Sequence, residues 1–179
     1  MSVPFNIDLN GKVAAVTGGG GILCSCMAKA LAECGAKVAI LDLRLEAAEK
    51  VASEITAAGY VAKGYACNVL EKDSLEAVNA SIEADFGAID ILVKGAGGNH
   101  PKGTTSNEFM TPEDLETIKE GFTTFYELDP SGVQFVFNLN FIGTLLPTQV
   151  FSKAMAKKGE GTIINISSMN AFTPLTKIP

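Results

Sequence analysis

No stretch of this chain carries a run of lysine or arginine. Its 14 basic residues stand against 20 acidic ones, giving a formal net charge of −6. That balance argues against nucleic acid as a partner, because a phosphate backbone demands a basic patch. Nor is there an apolar run of the roughly 18 residues that crossing a bilayer takes, so no membrane partner is expected. The opening residues, MSVPFNIDLNGK, hold neither a basic nor an apolar signal region; no export signal is expected, and the protein is placed in the cytoplasm. Tryptophan is missing altogether, which is ordinary for an α/β protein. Cys24, Cys26, Cys34 and Cys67 have neither zinc-ligand nor disulfide spacing, so no metal site is expected. Three of them fall in one expected helix, where Cys24 and Cys26 point to different sides. Buried or half-buried thiols in a reducing compartment are the expectation. Repeats and low-complexity segments are absent as well.

What is present is a rhythm. At 179 residues, 47% of them hydrophobic, the chain suits one domain, 1–179, with a core of its own. Lys12 to Thr17 (KVAAVT) reads as a buried strand, broken by glycines 18 to 21. Leu23, Met27, Ala30, Leu31 and Cys34 then recur at helical spacing, up to a stop at Gly35. Lys37 to Asp42 is a second strand, and Leu45, Ala48, Val51, Ala52 and Ile55 mark a second helix. A third strand spans Tyr60 to Cys67, followed by a helix on Leu75, Val78, Ile82 and Phe86. Ile89 to Val93 is a fourth strand. An excursion from about Gly95 to Asp129 follows, with a short helix expected at Thr111-Pro-Glu-Asp. A long helix should then place Phe135, Leu139, Ile142, Leu146 and Val150 on one stripe, kinked at Pro147. Thr162 to Ile166 is the last strand. Strands alternating with helices predict a Rossmann-type, doubly wound α/β fold with a parallel sheet.

The chemistry begins at VTGGGGILCSC. Glycines there permit positive φ and a close approach of backbone to ligand. The start of the next helix offers free N–H groups and a partial positive charge, which suit a pyrophosphate. Asp42 ends the second strand, twenty-one residues after Gly21. A carboxylate there accepts hydrogen bonds from a ribose 2′-OH and repels a 2′-phosphate, which favours NAD over NADP. Arg44 keeps NADP in view. A ligand-free tight turn, a helix N-cap role for Asp42 and an S-adenosylmethionine enzyme stay open as alternatives.

Taken together these motifs resemble the short-chain dehydrogenase/reductase family. Its Thr-Gly-x-x-x-Gly-x-Gly turn corresponds to Thr17–Cys24, with Ile22 and Cys24 in place of two glycines and Gly21 supplying flexibility one residue early. The resemblance implies cofactor contacts at Gly18, Gly20, Gly21, Ile22, Leu23, Asp42 and Arg44. It implies others at Asn68 and Val69, for the family's Asp-Val, and at Gly95, Ala96 and Gly97, for the end of its Asn-Asn-Ala-Gly. Lys94 departs from that motif and is expected to reach solvent or find an acid. Asn140, in FNLNFIG, falls where the family carries a catalytic asparagine, and Ser168, in INISSMNAF, where its serine polarises the substrate carbonyl. The family's Tyr-x-x-x-Lys pair is expected just past Pro179, because none of Tyr60, Tyr65 and Tyr126 is followed four residues on by lysine.

The segments GAGGNHPKGTTSNEF, NLNFIGTLLPTQVF and SSMNAFTPLTK look most like the branch acting on sugar acids of the mannonate–fructuronate type. Asn99, His100 and Asn170 are the residues expected to meet such a substrate, with Lys102 adding positive charge. The implied protein is an NAD-dependent oxidoreductase, homo-oligomeric at full length. The 179 residues read as its N-terminal portion, inactive by themselves. The alternative is a nucleotide-binding module without turnover.

Overall fold

The computed structural model describes residues 7–116, 121–173 and 177. Five parallel strands form one sheet in the order β3-β2-β1-β4-β5. They are β1 (Val13–Thr17), β2 (Lys37–Asp42), β3 (Ala62–Ala66), β4 (Ile91–Lys94) and β5 (Thr162–Asn165). Between them run α1 (Ile22–Glu33), α2 (Leu45–Ala57), α3 (Lys72–Asp85), α4 (Pro112–Glu116), α5 (Pro130–Phe137), α6 (Gly143–Phe151) and α7 (Lys153–Lys158). The expected doubly wound parallel sheet is therefore what forms.

Period-2 alternation builds the core on both faces of the sheet. In β1, Val13 and Ala15 join Leu75, Ile82, Leu92 and Phe151 on one face. Ala14 and Val16 join Ala28, Ile40, Ala48 and Ile55 on the other. At the strand starts Asp90 ties the sheet together. Its carboxylate accepts from the Val13 N–H at 3.0 Å and from Lys158 Nζ at 2.6 Å. Burial by itself would raise its pKa, but the bonds from Lys158 and Val13 outweigh that and hold it below the usual carboxylate value.

Two expected helix faces are corrected. In α1 the buried residues are Cys24, Ala28 and Ala32, while Leu23 is 70% exposed. Small residues lie deepest against the sheet, with Met27 and Leu31 packing partly buried at their side as expected. The long helix is not continuous α-helix. Between α5 and α6 lies a π-helical turn, Asn138–Ile142, which shifts the register. Of the expected stripe Phe135 is exposed, while Leu146 packs against the core and Val150 is buried, with Gly143, Pro147 and Phe151 completing the buried set of α6. Pro147 sits inside α6, after this turn rather than at it. Cys26 is exposed and not even half-buried.

The described residues up to Ala96, with Ile142–Ile166, make one compact unit; Gly97–Phe141 and the described residues from Ser167 onward make a second. The first holds the sheet, and the second holds the excursion after β4, including the expected short helix α4. No helix among the described residues is long and apolar enough to cross a membrane.

Candidate functional site

Strand order reverses at β1, whose two neighbours are β2 and β4. In such sheets the carboxyl ends beside the reversal form the ligand crevice. Three chain segments meet there, all within the first unit. Gly18 follows β1 with φ of +66°, a conformation that L side chains rarely adopt. Gly20 donates its N–H to Asp42 Oδ2 at 3.1 Å, and a Cβ on Gly20 would lie 2.9 Å from that oxygen and 2.7 Å from Ala47 Cβ. The turn is thus a hollow that only glycine leaves open. Gly21 takes the N-cap position of α1 without a side-chain cap. Ile22 and Leu23 follow with exposed side chains, so the first turn of α1 presents its backbone.

Asp42 accepts from two backbone N–H groups, Gly20 on Oδ2 and Arg44 on Oδ1 at 3.1 Å. The N-cap of α2 is Arg44, not Asp42, which removes the capping alternative for the acid. Both oxygens are oriented, and each keeps a second lone pair for a sugar hydroxyl. The exposed Arg44 side chain lies beside it in sequence.

The turn after β4 is fastened to the same place. Gly95 and Ala96 both donate N–H bonds of 3.2 Å to Thr17 Oγ1, and Thr17 is fully buried. A Cβ on Gly95 would fall 2.2 Å from Cys24 Sγ. The thiol therefore occupies the space that a side chain at position 95 would need. Burial, and next the negative charge of Asp42, raise the Cys24 pKa and keep the thiol protonated.

Lys94 overturns its expectation: it reaches neither solvent nor an acid. Only 6% exposed, its ammonium donates to Thr148 Oγ1 and, at 3.3 Å, to the Thr144 carbonyl of α6. Burial lowers its pKa. Asn68 engages its side chain within its own turn, donating to Glu71 at 2.8 Å and accepting from the Leu70 N–H at 3.1 Å. Val69 beside it is buried.

In the second unit Asn140 stands in the π-helical turn. Its amide nitrogen donates to the carbonyls of Gly98 and Val136, each at 2.8 Å, and its oxygen accepts from the Gly98 N–H at 3.1 Å. Gly97 lies against the same oxygen. One side chain thus holds the π turn and the Gly97–Gly98 backbone together. His100 caps the 3-10 turn Pro101–Gly103 by accepting from the Lys102 N–H at 3.2 Å, and its ring lies 5.0 Å from Phe135. Lys102 pairs with Asp129 at 2.9 Å, which holds the Asp129 carboxyl down to about 2 and occupies the positive charge expected for a substrate. Asn99 lines a largely apolar cavity of about 620 Å³ with Phe125, Leu128, Val133 and Phe137. Ser168 is exposed and is the N-cap of the 3-10 turn Met169–Ala171. Thr17 and Cys24 stand at the two ends of the expected turn motif, but the bonds of Thr17 to Gly95 and Ala96 and the Cys24–Gly95 contact were not expected.

Uncapped amides, a glycine hollow and an oriented acid beside the strand reversal define a nucleotide-binding α/β domain, and these residues fit the diphosphate and ribose of a dinucleotide. The short chain dehydrogenase family matches residues 12–179. An uncharacterised oxidoreductase of Haemophilus influenzae is 55% identical over 100% of this chain and 61% of its own length. Another, from Bacillus subtilis, is 45% identical over 99% and 62%. A Haemophilus crystal structure, described as a candidate D-mannonate oxidoreductase with bound NAD, superposes with a TM-score of 0.90 at 56% identity, covering 97% of this chain and 61% of that one. A xylitol dehydrogenase bound to NAD+ gives 0.79 at 27% identity, covering 94% and 57%. The chain belongs to the short-chain dehydrogenase family. It spans about 61% of the length of the Haemophilus relatives.

Proposed function

We propose that the protein carrying these residues is an NAD-dependent oxidoreductase that moves hydride between the cofactor and a keto or hydroxyl carbon of a sugar acid of the mannonate–fructuronate type. The observation that carries this reading is Asp42, fixed by the Gly20 and Arg44 N–H groups with lone pairs left for a ribose diol. A dinucleotide's diphosphate would rest on the Gly18–Leu23 backbone, with Gly95 and Ala96, tied to Thr17, next to it; Gly97 is assigned to the cofactor by the family resemblance. Bound NAD supplies the hydride acceptor. Ser168 donates its hydroxyl to the substrate carbonyl oxygen as negative charge develops there. Asn140, which holds the Gly98 and Val136 backbone, is assigned to the catalytic set, and a Tyr-x-x-x-Lys pair in the longer chain handles the proton. Asn99, His100 and Asn170 are assigned to the substrate. The sugar-acid class is supported by the Haemophilus structure described as a candidate D-mannonate oxidoreductase. A cytoplasmic homo-oligomer, dimer or tetramer, is part of the same proposal.

The test is oxidation of NADH by the natural full-length protein with fructuronate, followed by nicotinamide absorbance. Turnover is expected, and Ser168→Ala should lower kcat by about 100- to 1,000-fold. No turnover with any keto sugar acid would refute the substrate class. The 179 residues by themselves contain no Tyr-x-x-x-Lys and are expected to bind NADH without turning over.

A further inference from the structure

Among the described residues, one buried side-chain oxygen or nitrogen has no hydrogen-bond partner: the amide oxygen of Asn170. A buried acceptor without a donor keeps the whole cost of its lost water, and folded chains leave few such groups. Asn170 stands in the 3-10 turn Met169–Ala171, whose N-cap is Ser168. The Asn170 N–H donates to Ser168 Oγ at 3.3 Å. That oxygen is therefore already an acceptor, and its own proton remains to be donated. One short turn thus offers a hydroxyl donor and, two residues later, an unmet acceptor.

A plain ketone uses only half of this arrangement, since its oxygen accepts and nothing beside it donates. A ketone with a hydroxyl on the next carbon uses both halves. We infer that the Asn170 amide oxygen accepts a hydrogen bond from a substrate hydroxyl on a carbon adjacent to the reacting carbonyl, so that the site selects α-hydroxy ketones. The inference rests on the reading of Ser168 as the carbonyl's donor. A neutral amide suits the task, because it accepts without repelling the carboxylate of a sugar acid as an aspartate would. Losing the hydroxyl strands the acceptor, which is the situation in which enzymes reject an analogue most strongly.

The experiment uses the natural full-length protein with NADH. It compares kcat/KM for fructuronate, whose ketone has a hydroxyl-bearing carbon on each side, with values for analogues lacking either of those hydroxyls. The wild type should prefer the hydroxylated substrate over one of the analogues by about 100-fold or more. Asn170→Ala should bring that ratio to within about tenfold, chiefly by losing activity on the hydroxylated substrate. Asn170→Asp, measured on an uncharged hydroxy ketone and its deoxy partner, should keep the preference, because the acceptor survives. The melting temperature of Asn170→Ala should not fall, since no bond within the chain is lost. A preference that persists in Asn170→Ala overturns the inference and leaves the oxidoreductase reading standing; an ordered water on Asn170 would give that result. Absence of turnover in the wild type overturns the oxidoreductase reading, and this inference with it.

Discussion

Two side chains shape the proposed cofactor end, and each carries a prediction. Cys24 fills the space beside Gly95, 2.2 Å from where a Cβ would stand. Gly95→Ala should destabilise the fold by about 1–3 kcal/mol, as overpacking does. Combining it with Cys24→Gly should return most of that loss, as read from denaturant melts of the single and double variants. Without such coupling the contact is incidental. Asp42 faces the other side of the same turn. Asp42→Ala should weaken NADH binding by about 10- to 100-fold, the value of charge-assisted hydrogen bonds. Calorimetry on the natural protein measures it, and unchanged affinity would remove Asp42 from the site. The residue types at both places were legible in sequence, but only Asp42 drew a functional expectation there. It acts through its position at a strand end, whereas Cys24 acts through a neighbour 71 residues away.

At the scale of elements, β4 is pinned to α6 by a buried cation. The lowered pKa of Lys94 means that the unfolded chain binds its proton more tightly than the folded one. Stability should therefore rise with pH between the lowered value and the ordinary value near 10.5. Lys94→Met should flatten that rise, as seen in urea midpoints across the window; an unaltered slope would contradict the assignment. The break between α5 and α6 follows a similar logic. Asn140 offers its amide to the Val136 and Gly98 carbonyls, so helical spacing does not continue through it. Asn140→Ala should cost about 1–2 kcal/mol and speed hydrogen exchange at Gly98, whose N–H it holds. A period of 3.6 located the helix and its second half, Leu146 and Val150, but not the break before it, because no hydrophobic pattern encodes one extra residue in a turn. The α1 face was read in part: Met27 and Leu31 pack against the core, but the deepest positions go to Cys24, Ala28 and Ala32, small residues that no pattern of large apolar side chains marks.

For the molecule as a whole, the exposed side of the sheet is the telling feature. All four β5 residues are exposed, with Ile163 at 39% and Ile164 at 42%. β5 stands last in the strand order, with one of its edges unpaired among the described residues. Open apolar edges template association. Expressed alone, the 179 residues should self-associate as concentration rises, by light scattering, and Ile164→Lys should suppress this. A monodisperse monomer at every concentration would count against it.

The alternation of strands and helices, the glycine turn and the acid closing the second strand were determined by sequence alone, because each is a local pattern of a few residues or one regular period. The stripes of α2 and α3 were legible as well, whereas tertiary structure alone decided what Lys94 binds, what Cys24 displaces and which small residues of α1 meet the sheet. Those outcomes join residues far apart in the chain, Thr17 to Gly95 across 78 positions and Lys94 to Thr148 across 54. The spacing between layers that fixes them exists only once the chain has folded.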